Sequence, residues 1–212
     1  MRIAVVNETS ACDKNAQLVA ALEDRGHDII NAGMKEKGAK PELTYIHTAF
    51  LSALLLHSGK ADFIVGGCGT GQGYLNAVMQ YPGVFCGLIS SPLDGWLYTR
   101  INGGNCLSLP LNQGYGWAGD VNLRFLFDRL FSVESGCGYP DHRKESQKES
   151  REILTQLSCS AHLSFPEIIR RMPETVFFPV VNYPGVADML DFNGPGREEW
   201  KYALNERLAG DE

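Results

Sequence analysis

Five short apolar runs recur between residues 2 and 109, and the segments between them have helical length and pattern. The runs fall at residues 2–6, 27–31, 63–65, 84–88 and 106–109. Helical periodicity covers about 13–25, 43–57, 73–80, 92–100 and 119–131. Parallel strands cannot be joined by a tight turn and need a crossover of a dozen or more residues, usually a helix. The alternation therefore predicts a three-layer α/β/α sandwich around a five-stranded parallel, Rossmann-like sheet. Gly26 reads as the stop signal of the first helix, and Ser10, three residues before Asp13, reads as its cap. In such sheets ligands bind at the carboxyl ends of the strands.

Gly136-Cys137-Gly138-Tyr139-Pro140 breaks this pattern, and the charged stretch at 141–152 reads as the start of a further helix. Beyond it, prolines interrupt short apolar pieces. We divide the chain into an α/β domain at 1–157 and a C-terminal extension at 158–212, which wraps either the main domain or a partner subunit. Net charge is -6, which argues against nucleic acid and anionic membranes as partners, since both attract clustered Lys and Arg. No apolar run reaches the 18 residues a membrane helix needs. The N-terminus lacks the pattern of a signal peptide, and six cysteines occur with no Cys-x-x-Cys pair. These features predict a cytoplasmic protein with reduced thiols, five of the six being buried apolar residues. No His and carboxylate spacing indicates a metal site, and no cofactor is expected.

Gly66-Gly67-Cys68-Gly69-Thr70-Gly71-Gln72-Gly73 follows the third run directly and opens a helix. Glycines at this density let amide N–H groups approach a ligand closely, and the helix start beyond them favours an anion. A thiolate there can serve as base or nucleophile. The spacing lacks the full dinucleotide-binding fingerprint. From spacing alone, a functional anion loop and a purely structural turn both stay open.

The segment from Ala61 to Asn105 resembles the type B ribose-5-phosphate isomerase family, which includes the galactose-6-phosphate isomerase subunits. The family's Cys-Gly-Thr-Gly-x-Gly is matched by Cys68 to Gly73, its turn glycine by Gly83, and its Asn-(x)2-Asn by Asn102 and Asn105. The resemblance implies an aldose–ketose isomerase of a small sugar phosphate, of the ribose 5-phosphate/ribulose 5-phosphate type. Cys68 would move a proton between C1 and C2 through a cis-enediolate. Thr70 and the backbone at Gly69, Gly71 and Gly73 would hold the enediolate oxygen. It also implies a homodimer or tetramer with sites shared between subunits, to which the extension would add apolar contact around Phe177, Phe178 and Trp200.

Three departures bear on this. The family's Asp-His after the first strand is replaced by Glu8-Thr9, which keeps a carboxylate for sugar hydroxyls and loses the imidazole. Its ring-opening His is replaced by Ile101. Its Gly-Gly-Arg-His segment is replaced by Gly138 to Arg143, leaving His142 and Arg143, with Arg100, as candidate phosphate ligands. Tyr45 and His47 fall near the family's substrate-lining region; His57 and His162 read as surface residues. A homologue that binds a sugar phosphate without turning it over stands as the alternative. The missing imidazoles leave three explanations: His47 or His142 substitutes from another segment, the substrate is already open-chain, or the protein is inactive. We take the open-chain substrate as the working expectation.

Overall fold

The computed structural model describes residues 1–190 and 199–210. Five strands, β1 (Arg2–Val6), β2 (Asp28–Asn31), β3 (Phe63–Cys68), β4 (Cys86–Leu88) and β5 (Cys106–Pro110), form one sheet in the order β2-β1-β3-β5-β4. Every pairing is parallel, with Val6 opposite Gly66 and Cys68 opposite Pro110. Side chains alternate between the two faces, as the pleat requires. Ile3 and Val5 enter one core, Ala4 and Val6 the other. The three-layer sandwich read from the sequence is the observed fold.

Helices α1 (Asn15–Leu22), α2 (Tyr45–His57), α3 (Gln72–Val78), α4 (Pro92–Leu97) and α5 (Gly119–Leu130) connect or follow the strands. α1 and α5 pack Leu18, Leu22, Leu126 and Phe127 on one face. α2 packs Phe50 and Leu54 on the other. α1 ends four residues before Gly26 because Asp24 takes the left-handed turn, at φ 60°. A π-helical turn at Tyr98–Asn102 continues α4 to the start of β5.

A single helix, α6 (Lys144–Ala161), runs through the boundary placed at 157. It is followed by α7 (Phe165–Arg171), α8 (Glu174–Val181), α9 (Val186–Leu190) and α10 (Glu199–Ala209). These last four helices do not stand apart. Phe165 and Phe177 pack on Phe50 of α2, with ring centroids 6.5 and 6.3 Å away, and Trp200 is buried in the same core. The expectation that Phe177 and Trp200 face a partner is therefore corrected: an apolar face of α2 was left bare by the sheet, and the extension covers it.

The ring of His57 stacks on Phe165 at 4.0 Å, and its Nε2–H donates to the Pro82 carbonyl at 2.9 Å. The residue is exposed overall, but the loss of water from the ring face stacked on Phe165 holds this imidazole below its ordinary value, with the carbonyl bond opposing the shift. A lowered value means that the folded state binds fewer protons than the unfolded state. The neutral ring's contribution is complete above about pH 6.5 and is lost as the pH falls further. Burial depresses His27 in the same direction. We expect the urea midpoint to drop between about pH 6.5 and 5, and His57→Phe to flatten part of that slope. Identical slopes in the two proteins would remove His57 from the account.

Candidate active site

Three loops after β1, β3 and β5 meet at the carboxyl edge of the sheet. β3 ends on Cys68, which is 6% exposed. Continuing the Val6–Gly66 pairing by two residues brings Glu8, 3% exposed, level with Cys68 on the neighbouring strand. Gly66 leaves room beneath the loop for Tyr74, whose ring would lie 2.3 Å from an added Cβ. The Tyr74 hydroxyl is anchored by Ser52 at 2.6 Å. Gly71 turns the chain into α3 at φ 73°, a conformation favouring glycine, and Ser108 donates to its carbonyl at 2.6 Å.

The amides of the loop differ in what they can do. Gly69 N–H donates to Ser10 Oγ at 3.0 Å, and Ser10 Oγ also contacts Glu8 Oε1. The expectation that the Gly69 amide faces substrate is thereby corrected, because a hydroxyl from the loop after β1 already occupies it. Ser10 is likewise not a helix cap; the 3₁₀ turn at Cys12–Lys14 has no side-chain cap. Among the described residues, neither the Thr70 nor the Gly71 amide has a hydrogen-bond partner, and Thr70 Oγ1 accepts a long bond from Gln72 N–H at 3.4 Å. The Tyr45 ring lies beside Gly73, 3.2 Å from where a Cβ would stand. Glu8, Cys68, Gly69, Thr70, Gly71 and Gly73 thus form one cluster.

Asn102, Arg100, His142 and Arg143 lie elsewhere. Asn102 precedes β5, and in a parallel sheet every strand starts at the same edge. The four steps from Cys106 to Pro110, at ~3.3 Å each, put Asn102 ~13 Å or more from the Cys68 edge. Arg100 is held there between Trp96 and Tyr139, 4.8 and 5.5 Å from their ring centroids, and donates to Gly138 O at 2.9 Å. Arg151 of α6 donates to Ile101 O at 2.8 Å. His142 and Arg143 are exposed in the short turn before α6. Asn105 ties the chain before β4, accepting from Phe85 N–H and donating to Gly83 O, both at 2.9 Å.

No Arg occurs in the loops 7–14, 32–44, 69–71, 89–91 and 111–118 that border the Cys68 edge. His47, at the start of α2, has both nitrogens occupied. Nδ1 accepts from Thr44 N–H at 2.9 Å and Nε2–H donates to Thr175 O at 2.8 Å. It fastens the extension to α2 and is not a free proton carrier.

All six cysteines are free, but only Cys12, Cys68 and Cys106 are buried, fewer than expected; Cys159 is exposed. Among the described residues, no group of three His, Cys, Asp or Glu side chains could hold a metal ion. None of the helices there is long and apolar enough to cross a membrane.

A family model described as Ribose/Galactose Isomerase matches residues 3–126. The chain is similar over 99% of its length to a 4-deoxy-L-threo-5-hexosulose-uronate ketol-isomerase crystallised with a tartrate. Identity is 33%, 98% of that chain is covered, and the TM-score is 0.88. It is equally similar to a ribose-5-phosphate isomerase from Vibrio parahaemolyticus, at 33% identity and TM-score 0.89, covering 97% of this chain and 98% of that one. The type B ribose 5-phosphate isomerase of Trypanosoma cruzi shares the fold at 17% identity and TM-score 0.64, covering 76% of this chain and 99% of that one. No curated protein sequence matches the chain.

Proposed function

From the premise that the chain belongs to the ribose/galactose isomerase family, we propose that it is an aldose–ketose isomerase in which Cys68 is the base and the substrate is open-chain. The observation carrying this reading is the Cys68 loop itself. A buried thiol ends the strand, the next residue's amide is bonded to Ser10, which contacts the buried Glu8 carboxylate, and among the described residues the Thr70 and Gly71 amides have no partner.

As a thiolate, Cys68 takes the proton from C2 of the aldose. That C–H electron pair forms the C1–C2 double bond, and the carbonyl electrons pass to O1. A proton then moves from O2 to O1, and C1 receives its proton back from the Cys68 thiol as O2 becomes the carbonyl. Negative charge develops on the sugar oxygens, where preorganised N–H donors are most effective. Thr70 and the Gly71 amide supply them, and Glu8 binds substrate hydroxyls.

The edge carries no Arg in its loops and no free imidazole among its described residues. Imidazole is the side chain best suited to carry a proton both ways near neutral pH, as opening a ring requires. Two substrate classes fit an open-chain reading. One is a short sugar phosphate, whose dianion a second copy of the chain would bind through Arg100, His142 and Arg143, with Asn102 nearby. A homodimer or tetramer is consistent with α6, whose Leu154 and Leu157 are exposed beside a groove of about 440 Å³ that also contains Ile101 and Asn102. The other is a non-phosphorylated sugar acid, favoured by the full-length likeness to a hexosulose-uronate ketol-isomerase and by the absence of Arg from these loops.

The test is a comparison of kcat/KM for erythrulose 4-phosphate, the hexosulose uronate and ribose 5-phosphate, with solvent deuterium as a second readout. We expect one of the first two to exceed ribose 5-phosphate by at least about tenfold, a difference near 1.4 kcal/mol in transition-state stabilisation. A preference for ribose 5-phosphate would end the open-chain reading. Absence of both conversion and deuterium exchange would favour the binding homologue.

A further inference from the structure

Ser10 sits between the two halves of the cluster. Its hydroxyl accepts from Gly69 N–H at 3.0 Å and, having one proton to give, donates it to Glu8 Oε1. The result is a chain from amide to hydroxyl to carboxylate, in which each bond polarises the next. With Oε1 engaged by Ser10, Oε2 is the oxygen left to meet a ligand. Asn112 ties the same two loops together, its Nδ2 donating to Ser10 O at 2.8 Å and its N–H to Gly69 O at 2.9 Å. Ser10 is exposed, whereas Glu8 is buried. An exposed hydroxyl with these two bonds contributes little to the core, and the groups it joins belong to the site.

We propose that Ser10 is a positioning residue of the isomerase: it fixes the Glu8 carboxylate against the Cys68 loop, turning Oε2 to the substrate and assigning the oxyanion to the Thr70 and Gly71 amides. This rests on the function proposed above. It adds a residue that the family resemblance did not supply. A carboxylate on a freely rotating side chain would bind sugar hydroxyls in several geometries, and misplacement by about 1 Å costs up to ~10²-fold in rate. Ser10 removes that freedom without adding a charge.

The experiment compares Ser10→Ala, Ser10→Thr and Asn112→Ala in the full chain. One readout is kcat and KM on the substrate the native protein converts. The other, independent of turnover, is the rate of iodoacetamide alkylation at Cys68, resolved from the other cysteines by peptide mass. Ser10→Ala should lower kcat by ~10- to 100-fold, with a smaller change in KM and an unchanged Tm. It should also raise Cys68 alkylation several-fold, because the residue after Cys68 loses its tether. Ser10→Thr keeps the hydroxyl and should restore both readouts. Asn112→Ala loosens the clamp while leaving the Glu8 bond, and should lower kcat less than Ser10→Ala does. Native alkylation in Ser10→Ala would overturn the proposal, whatever the activity. So would equal kcat losses in Ser10→Ala and Asn112→Ala with no rescue by threonine. A native protein that converts nothing instead counts against the isomerase reading, and the alkylation result still decides the role of Ser10.

Discussion

Cys68→Ala should lower kcat by roughly 10²- to 10⁴-fold, the range expected when a positioned general base is removed. The chemistry offers no obvious replacement. Glu8, on the neighbouring loop, already has one oxygen engaged by Ser10. His47 has both nitrogens bonded. Tyr74 is fully buried beneath the loop, and burial drives its phenol well above its ordinary value, so it does not ionise to act as a base. The fold should survive, because Cys68 is one small side chain at the edge of a core whose bulk comes from larger residues such as Phe50, Leu54, Tyr74 and Phe177. Tm and circular dichroism near those of the native protein would attribute the loss to chemistry. KM should change little if the hydroxyl contacts belong to Glu8 and Thr70. Exchange of the C2 proton with solvent should disappear together with turnover. A Cys68→Ala protein that retains more than about a tenth of native kcat would rule out the base assignment.

Much of the frame was legible because it rests on two periodicities. Short apolar runs separated by helices admit few topologies, and the glycine-cysteine segment could only turn a strand into a helix. Thus β3, α3 and the position of Cys68 followed directly from spacing. Glu8 was legible through resemblance, and the Val6–Gly66 pairing explains it physically. The sequence did not show that Ser10 would leave the helix start and turn towards Gly69. A Ser three residues before an Asp looks like a cap, and only the meeting of loops after non-adjacent segments gives it another partner. Asn112 was missed for the same reason; its one cue is its place two residues beyond the end of β5. Arg100, Asn102, His142 and Arg143 were grouped with Cys68 by motif. Motif spacing carries no information about which edge of the sheet a residue occupies. Strand direction does, and it separates them within one chain.

Phe177→Ala tests the packing of the C-terminal extension most directly. Prolines and short apolar pieces gave it no clear period, so its buried aromatics looked available to a partner. In the structure Phe177 is fully buried, 5.2 Å from Phe178 and 6.3 Å from Phe50 between ring centroids, with the Arg207 guanidinium 4.4 Å from its own. Arg207 in turn donates to Ile169 O and Met172 O at 2.9 and 2.6 Å, joining α10 to the end of α7. Removing the ring leaves a cavity bordered by both the extension and α2. Phe→Ala substitutions at such sites cost ~3–5 kcal/mol, a large share of the ~5–15 kcal/mol that holds a typical domain together. Because Phe50 belongs to α2, the loss should appear in one cooperative transition of the whole chain. It should not appear as an early, separate melting of residues beyond 161. Phe178→Ala, at a half-buried position, should cost less. Urea unfolding followed by tryptophan fluorescence and by far-ultraviolet circular dichroism distinguishes the cases. Coincident curves shifted to lower urea support a shared core. Two resolved transitions, with the larger one unmoved, would mean that the extension folds by itself and that its contact with α2 contributes little.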